Sequence, residues 1–396
     1  MNILHIFSNW KWTGPAEHAL NLALEHQRLG HQVTFACSAP PEGAPNSICS
    51  VARERGIEPY TACRLSKHFS PAKAPQDSLR LMRYIRQSGF DVVHTHMPND
   101  HLLAGLAVRL GLIKTVLVRT SYDGSGIRGG MRTRLCLRFL TDGFITISEN
   151  TRAQVLKHRY LSPDKIWKTD VPVDLHRFNP DRITDCRGKF SLTPEVFMGG
   201  IVARVQTHRR FEVLLEALSI VLREFPGFKF MIIGRGTNIE QVAIKPSQEM
   251  GIRTNLIFTG YMKEDFVKTL ACLNFKIFLV PGSDGSCRAV REAMAMGKPM
   301  IVSRRGMLPE LVEHEKQGLV IDDTAENIAE AILYLVENPE KREEMGRNAR
   351  RKAQACFDGN KQAATIIGIY EDLQKRNARP RWHHIFKRRG RSPHQS

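Results

Sequence analysis

The chain has 396 residues, 42% of them apolar, enough for a buried core and two domains of ordinary size, which excludes a single small module. No run approaches the roughly 18 to 20 uninterrupted apolar residues of a membrane-spanning helix, and the start, MNILHIFSNWKW, lacks a basic region followed by an apolar block, so the sequence reads as an unprocessed cytoplasmic chain. A formal charge of +18 favours a polyanionic partner, whether nucleic acid, phosphorylated saccharide or anionic lipid. No helix-turn-helix, zinc-finger or aromatic-rich RNA-binding signature accompanies it, so nucleic acid is the least favoured of the three.

In chain order, short apolar runs at 2–8 (NILHIFS), 32–37, 91–96 (DVVHTH), 115–121 (TVLVRTS) and 143–148 (GFITIS) alternate with helical patterns, which predicts a parallel sheet covered on both faces. Residues 170–190 carry two prolines and many polar residues and read as a linker, with the domain boundary near 180. A second series at 196–204, 228–234, 255–260, 275–282, 299–303 and 318–322 predicts a second doubly wound unit. The pattern is helical from about 324 to 375, and residues 377–396 form a basic tail without an acidic residue. The division is therefore 1–180, 181–358 and tail, with a helix near 360–376 packing back on the first domain. The eight cysteines are scattered, without a C-x-x-C pair, and read as reduced thiols.

Open α/β sheets bind ligands beyond the carboxyl ends of their strands, so the candidate residues are those just after strands. Gly14 and Pro15 follow the first strand at the start of a helix, where free N–H groups can receive an anion; such a turn also serves structure alone. His94 and His96 close the third strand with the same parity and point to one face. They either position a substrate or are hydrogen-bonded core imidazoles, and with no third ligand evident nearby a metal pair is not expected. Arg204, Arg209 and Arg210 lie on the strand-to-helix turn RVQTHRR, where fork-shaped guanidiniums suit a diphosphate; a solvated basic turn is the alternative. Gly234-Arg235-Gly236 is half a dinucleotide fingerprint, a turn first and a ligand contact second. In PGSDGSCRAVREAMAMGKPMI, residues 281–301, a strand ends, a Gly/Ser turn carries Asp284, and a helix carries Glu292 about one turn in. Carboxylates so placed can take sugar or ribose hydroxyls, although an Asp there also caps helices.

Together these segments resemble the GT-B glycosyltransferases, in particular glycosyltransferase family four, also called glycosyl transferases group 1, from about residue 2 to 375. The likeness rests on TGPAEHALNLA, DVVHTHMPND, FITIS, VDLHRF, ARVQTHRRFEVLLEAL, MIIGRG, IFTGYM, SDGSCRAVREAMAMGKPMI and GMLPELVEHEKQGLVI. It implies an α/β fold of two facing Rossmann-like domains with an inter-domain cleft. It also implies a retaining, metal-independent transfer of a sugar from a nucleotide diphosphate sugar to a saccharide or lipid-linked acceptor, in cell-envelope polysaccharide or lipopolysaccharide synthesis. By position, Arg204 and Arg209 match the basic pair that grips the diphosphate, Asp284 the first carboxylate of the E-x7-E motif, which orients the sugar, and His96 the histidine beside it; these are the catalytic candidates. Gly14, Gly234 and Glu292 are the donor-binding candidates, Glu292 on the ribose. No D-x-D metal motif occurs, and no cofactor is expected.

The sequence departs from the family at Asp284, which shortens the usual Glu by roughly 1.5 Å, at Gly285-Ser286-Cys287 in place of Gly-Phe-Gly, and at Arg288 and Arg291, where apolar residues are common. A catalytically degenerate nucleotide-sugar or polyanion binder is therefore the alternative. Arg119, Arg128, Arg132, Arg134 and Arg138, with the tail, suggest a basic surface for an anionic inner membrane face, against the plainer reading of a surface kept for solubility.

Overall fold

Every apolar run named above becomes a strand in the computed structural model, which describes residues 1–378 except 45, 73, 125, 128, 185, 263–264 and 282–284. The first sheet contains β1 (Asn2–Phe7), β2 (Gln32–Cys37), β3 (Val92–Thr95), β4 (Val116–Ser121), β5 (Gly143–Thr146) and β6 (Ile166–Lys168), in the order β2-β1-β3-β4-β5-β6. The second contains β7 (Met198–Val202), β8 (Lys229–Ile233), β9 (Leu256–Gly260), β10 (Phe275–Phe278), β11 (Met300–Ser303) and β12 (Gly318–Ile321), in the order β12-β11-β10-β7-β8-β9. All neighbouring strands pair in parallel. Strands covered by helices on both faces read as unbroken apolar runs, and β3, β4, β5, β10 and β11 are buried along their whole length. The three-residue β6 escaped the sequence reading because Ile-Trp-Lys is too short to show a period.

Each sheet has one place where connections leave in opposite directions, between β1 and β3 in the first and between β7 and β10 in the second. Such a switch point leaves a crevice at the carboxyl ends of its strands. The Gly14–Arg28 helix starts there, its Thr13 cap accepting from Ala16 N, and its Ala16, Ala19, Leu20 and Ala23 pack on Phe7 and Phe35. Gly14 and Pro15 are thus its first two residues.

The chain leaves the first sheet after β6, builds the second, and returns. The last described helix, Gly359–Ala378, lays Ile366, Ile369, Tyr370 and Leu373 on Ile3, Val92, Val116, Val118 and Ile145 of the first sheet. Two thiol pairs meet that no sequence spacing announced: Cys186 and Cys272 at 3.0 Å, and Cys37 and Cys49 at 3.6 Å, all four buried.

Tyr370 is fully buried beneath the first sheet, its hydroxyl on His94 Nδ1. Tyr370→Ala should lower unfolding stability by about 3 to 5 kcal/mol, the usual cost of deleting a buried ring. Urea denaturation checks this, and a loss below about 1 kcal/mol would mean that the returning helix is not part of the first domain's core.

Candidate active site between the two switch points

At the first switch point a single carboxylate joins the two strand exits. Asp100 accepts from Ser8 N after β1 (2.9 Å) and from Met97 N after β3 (2.8 Å). Burial pushes its pKa up to about 7, although those two amides and nearby Arg119 favour the ionised form. Arg119 is therefore not part of a basic surface, contrary to expectation: it is buried in β4 with its guanidinium over the Phe144 ring, and it faces Asp100. Arg128 lies outside the described residues.

His96 is buried at the end of a row of imidazoles. His26 Nδ1 meets His5 Nε2 at 3.1 Å, His5 Nδ1 meets His96 Nε2 at 3.0 Å, and His96 Nδ1 meets the Tyr122 hydroxyl at 3.0 Å. His94 is bonded on one side to Tyr370 and on the other to Thr120 Oγ1. The expectation that no third ligand flanks His94 and His96 is corrected here. His5, one strand over in exact register with His94, brings three imidazoles together with ring nitrogens within 4.8 Å of one another. All six of those nitrogens have hydrogen-bond partners among protein groups. His94 is thus a core histidine, and His96 reaches the cleft through Tyr122.

At the second switch point Arg204 is exposed on the turn after β7. Arg209 Nη1 donates to Val280 O (2.7 Å), bracing that turn against the exit of β10. Arg210 leaves the expected clamp: it takes a left-handed backbone (φ 63°) and pairs with Asp323 at 3.1 Å. Gly234 has φ 145°, and a side chain there would strike Ala203 O; one on Gly236 would strike Val205 O. These glycines let the β8 exit lie against residues 203–205, so they support the loop that presents Arg204.

Asp284 lies outside the described residues. The Arg288–Ala295 helix that follows is entered through Cys287, whose φ of 50° falls in the left-handed region that favours glycine. Glu292 is buried in this helix and takes Arg288 Nε at 3.0 Å. Beneath it in β10 is fully buried Lys276, whose Nζ donates to Ala289 O. Burial pushes the Glu292 pKa up while Arg288 and Lys276 pull it down, and burial lowers Lys276 while Glu292 raises it. A carboxylate held among cations in this way is a strong acceptor for hydroxyl donors.

The two domains meet at these elements. His18 Nε2 and Ser286 Oγ are 3.0 Å apart, Arg288 bonds Glu17, and Gly124 lies so close to Gly285 O that a side chain there could not fit. Beside this contact Glu310 accepts from Glu149 N (2.7 Å) and Asn150 N (3.2 Å), the first amides of the Glu149–Lys157 helix, an anion on a helix N-terminus. A cavity of about 840 Å³ between Gly14–Arg28 and residues 172–178 is lined by Glu17, His18, Arg288 and Glu292. Arg204, Arg209, Gly14, Gly234 and His96 do not line it. Sequence reasoning missed Glu17, His18, Lys276 and Asp100. Lys276 alone carried a signal, a lysine inside the apolar run FKIFLV.

Two doubly wound sheets with their switch points turned toward a shared cleft are the architecture of the GT-B glycosyltransferases, the class to which this molecule belongs. Residues 12–177 match the Glycosyltransferase Family 4 model and residues 189–352 the Glycosyl transferases group 1 model, and the chain belongs to this glycosyltransferase family. It is 27% identical to spore coat protein SA of Bacillus subtilis over 57% of this chain and 64% of that protein. It is 24% identical to the UDP-Gal:alpha-D-GlcNAc-diphosphoundecaprenol alpha-1,3-galactosyltransferase of Escherichia coli over 78% of this chain and 82% of that one. With the phosphatidyl-myo-inositol mannosyltransferase of Mycobacterium leprae it shares 26% over 91% and 93%. The crystal structure of Anabaena HepE in complex with UDP has the same fold, with a TM-score of 0.78 at 16% identity over 94% of this chain and 100% of that one.

Burial lowers the pKa of His5, His26, His94, His96 and His101, that of His26 to about 3. These rings stay neutral in the fold but take protons near pH 6.5 once unfolded, so their contribution is present above that pH and lost as pH falls below it. Raised Asp100, between its unfolded value and about 7, and raised Glu292 work in the opposite direction, as two groups against five. The melting temperature should therefore fall steeply from pH 6.5 to 5, each histidine contributing on the order of 1.4 kcal/mol per pH unit. Scanning calorimetry across that range tests it, and a flat profile would contradict the neutral cluster.

Proposed function

We propose that the protein moves a sugar from a nucleoside diphosphate sugar to the hydroxyl of a saccharide or lipid-linked acceptor, with retention at the anomeric carbon, in cell-envelope polysaccharide or lipopolysaccharide synthesis at the cytoplasmic face of the membrane. The observation that carries this reading is the meeting of the two switch points. The exposed Arg204 turn, braced through Arg209 to the exit of β10, and the Glu292 helix both follow strands at the switch point of the second sheet. The turn between β10 and that helix meets Gly124 and His18 of the first domain. The HepE complex, with UDP bound to the same fold, supports a nucleoside diphosphate donor. The two relatives named for a diphosphoundecaprenol and a phosphatidylinositol acceptor support a lipid-linked one.

In this reading Glu292 takes the ribose hydroxyls, displacing Arg288, and Asp284 and His96 orient the sugar. As the glycosidic bond breaks, positive charge gathers on the sugar ring and negative charge on the departing diphosphate. Arg204 and Arg209 meet that developing anion, and Gly14 lets the first domain's helix N-terminus approach it. The leaving phosphate takes the acceptor's proton on the face where the new bond forms, so no side chain acts as base and no metal is needed.

A panel of nucleotide sugars, read by thermal shift and by slow release of nucleoside diphosphate, tests this reading. One donor should stabilise the wild type and be hydrolysed, and Glu292→Ala should lose the shift. Arg204→Ala should stay folded and lose about 10² to 10³ in turnover, near 3 to 4 kcal/mol in barrier, while EDTA should leave turnover unchanged. A tight donor complex that transfers to no acceptor would instead make the protein a nucleotide-sugar binder. Full turnover in Arg204→Ala would remove its assigned role.

A further inference from the structure

Residues 131–140, MRTRLCLRFL, form a helix over Met131–Leu135 that continues as a π-helix over Cys136–Leu140. One face is anchored: Leu137 is fully buried against Phe144, Val155 and Ile166, and Leu140 lies against Gly105 with its carbonyl on Arg109. The other face is not: Met131, Leu135 and Phe139 are 68%, 47% and 63% exposed. Four-residue spacing in an α-helix drifts by about 40° per step, and a π turn, holding more residues per turn, drifts the other way and brings Phe139 back toward the line of Met131.

This stripe is the centre of a wider patch. Phe69 is exposed beside it, with Arg132 stacked 4.5 Å over its ring. At the far end, next to Arg109, stand exposed Leu110 and Leu112, and Leu112 holds a left-handed backbone (φ 51°) while 88% exposed. Six of the ten large apolar side chains exposed among the described residues therefore fall here. Arg132, Arg134 and Arg138 flank the stripe, all exposed, and the ten-residue segment contains no acid. Long cationic side chains can lay their stems on apolar surface and lift their charges to a lipid headgroup layer.

We propose that the Met131–Leu140 segment seats the protein on an anionic lipid bilayer, with Met131, Leu135 and Phe139 inserted at the headgroup boundary and Arg132, Arg134 and Arg138 on lipid phosphates. This deepens the lipid-linked acceptor reading and rests on it for its purpose, though not for its test. Gly124, which touches Gly285 inside the cleft, lies only seven positions before Met131, so the docking helix and the acceptor edge of the cleft are two ends of one loop. A lipid diphosphate lying in the headgroup plane would be presented to the cleft without leaving the membrane.

The experiment is co-sedimentation of the full chain with vesicles of phosphatidylcholine alone and of equimolar phosphatidylcholine and phosphatidylglycerol. Lipid-free donor hydrolysis and sedimentation velocity are measured alongside. Binding should be at least about tenfold tighter to the anionic vesicles and should weaken with salt. The triple variant M131S/L135S/F139S should lose it, while R132Q/R134Q/R138Q should lose its salt dependence, both with unchanged donor hydrolysis and melting temperature. Equal binding by the triple serine variant overturns the proposal. So does a lipid-free dimer of the wild type that this variant splits, since the stripe then covers a second copy of the chain. Vesicle binding that depends on the stripe, in a protein that hydrolyses no donor, would sustain the docking surface and refute the transferase reading separately.

Discussion

The arrangement of the cleft depends on one fully buried cation. Arg291 donates through Nε to Ser286 O, and through Nη1 to Val171 O and, at 3.5 Å, to Asp170, with the guanidinium 4.6 Å from the centre of the Phe357 ring. It thereby ties the turn that enters the Arg288–Ala295 helix to the start of the linker and to Phe357, just before the returning helix. A charge without solvent is costly unless its bonds are held in place, so the turn, the linker and Phe357 must hold one geometry together. An apolar residue at this position would pack, but it would leave the relation between the domains to weaker contacts.

Around this fixed point the electrostatics are local. Glu292 stands between Arg288 on its own helix and Lys276 in the strand below, and Arg288 also reaches Glu17 of the other domain. Arg288 thus satisfies the Glu292 carboxylate and joins the two halves. In the proposed reaction a ribose on Glu292 would exchange one set of charge-assisted bonds for another. Arg288, an oddity in the sequence, is in the structure a link between the two domains.

Most of the fold was legible because buried parallel strands leave continuous apolar runs and helices between them keep their own period. The positions of the candidate residues were legible where they follow strands, as Arg204, Arg209 and Glu292 do. Contacts made across the fold were not legible. Glu17 and His18 look like ordinary first-turn residues until Arg288 and Ser286 face them. His94 and His96 read as a pair because His5 lies some ninety positions away and comes beside them only through strand pairing. Arg119 looked like surface charge because a one-dimensional cluster of arginines does not reveal which one lies at the centre of a strand. Arg210 could not be separated from Arg209 by spacing, since the left-handed backbone that turns it toward Asp323 is a property of the turn.

The returning helix bears on the order in which the molecule can be made. The first sheet emerges first during synthesis, but its inner face is completed by Ile366, Ile369, Tyr370 and Leu373, which appear only when nearly all of the chain is out. The second domain, all of whose strands lie between Met198 and Ile321, has its core available earlier. Domains fold as units once their residues are present, so the half translated first is the half that must wait. Its exposed apolar sheet face is then the stretch of this protein that a nascent-chain chaperone would have most reason to cover.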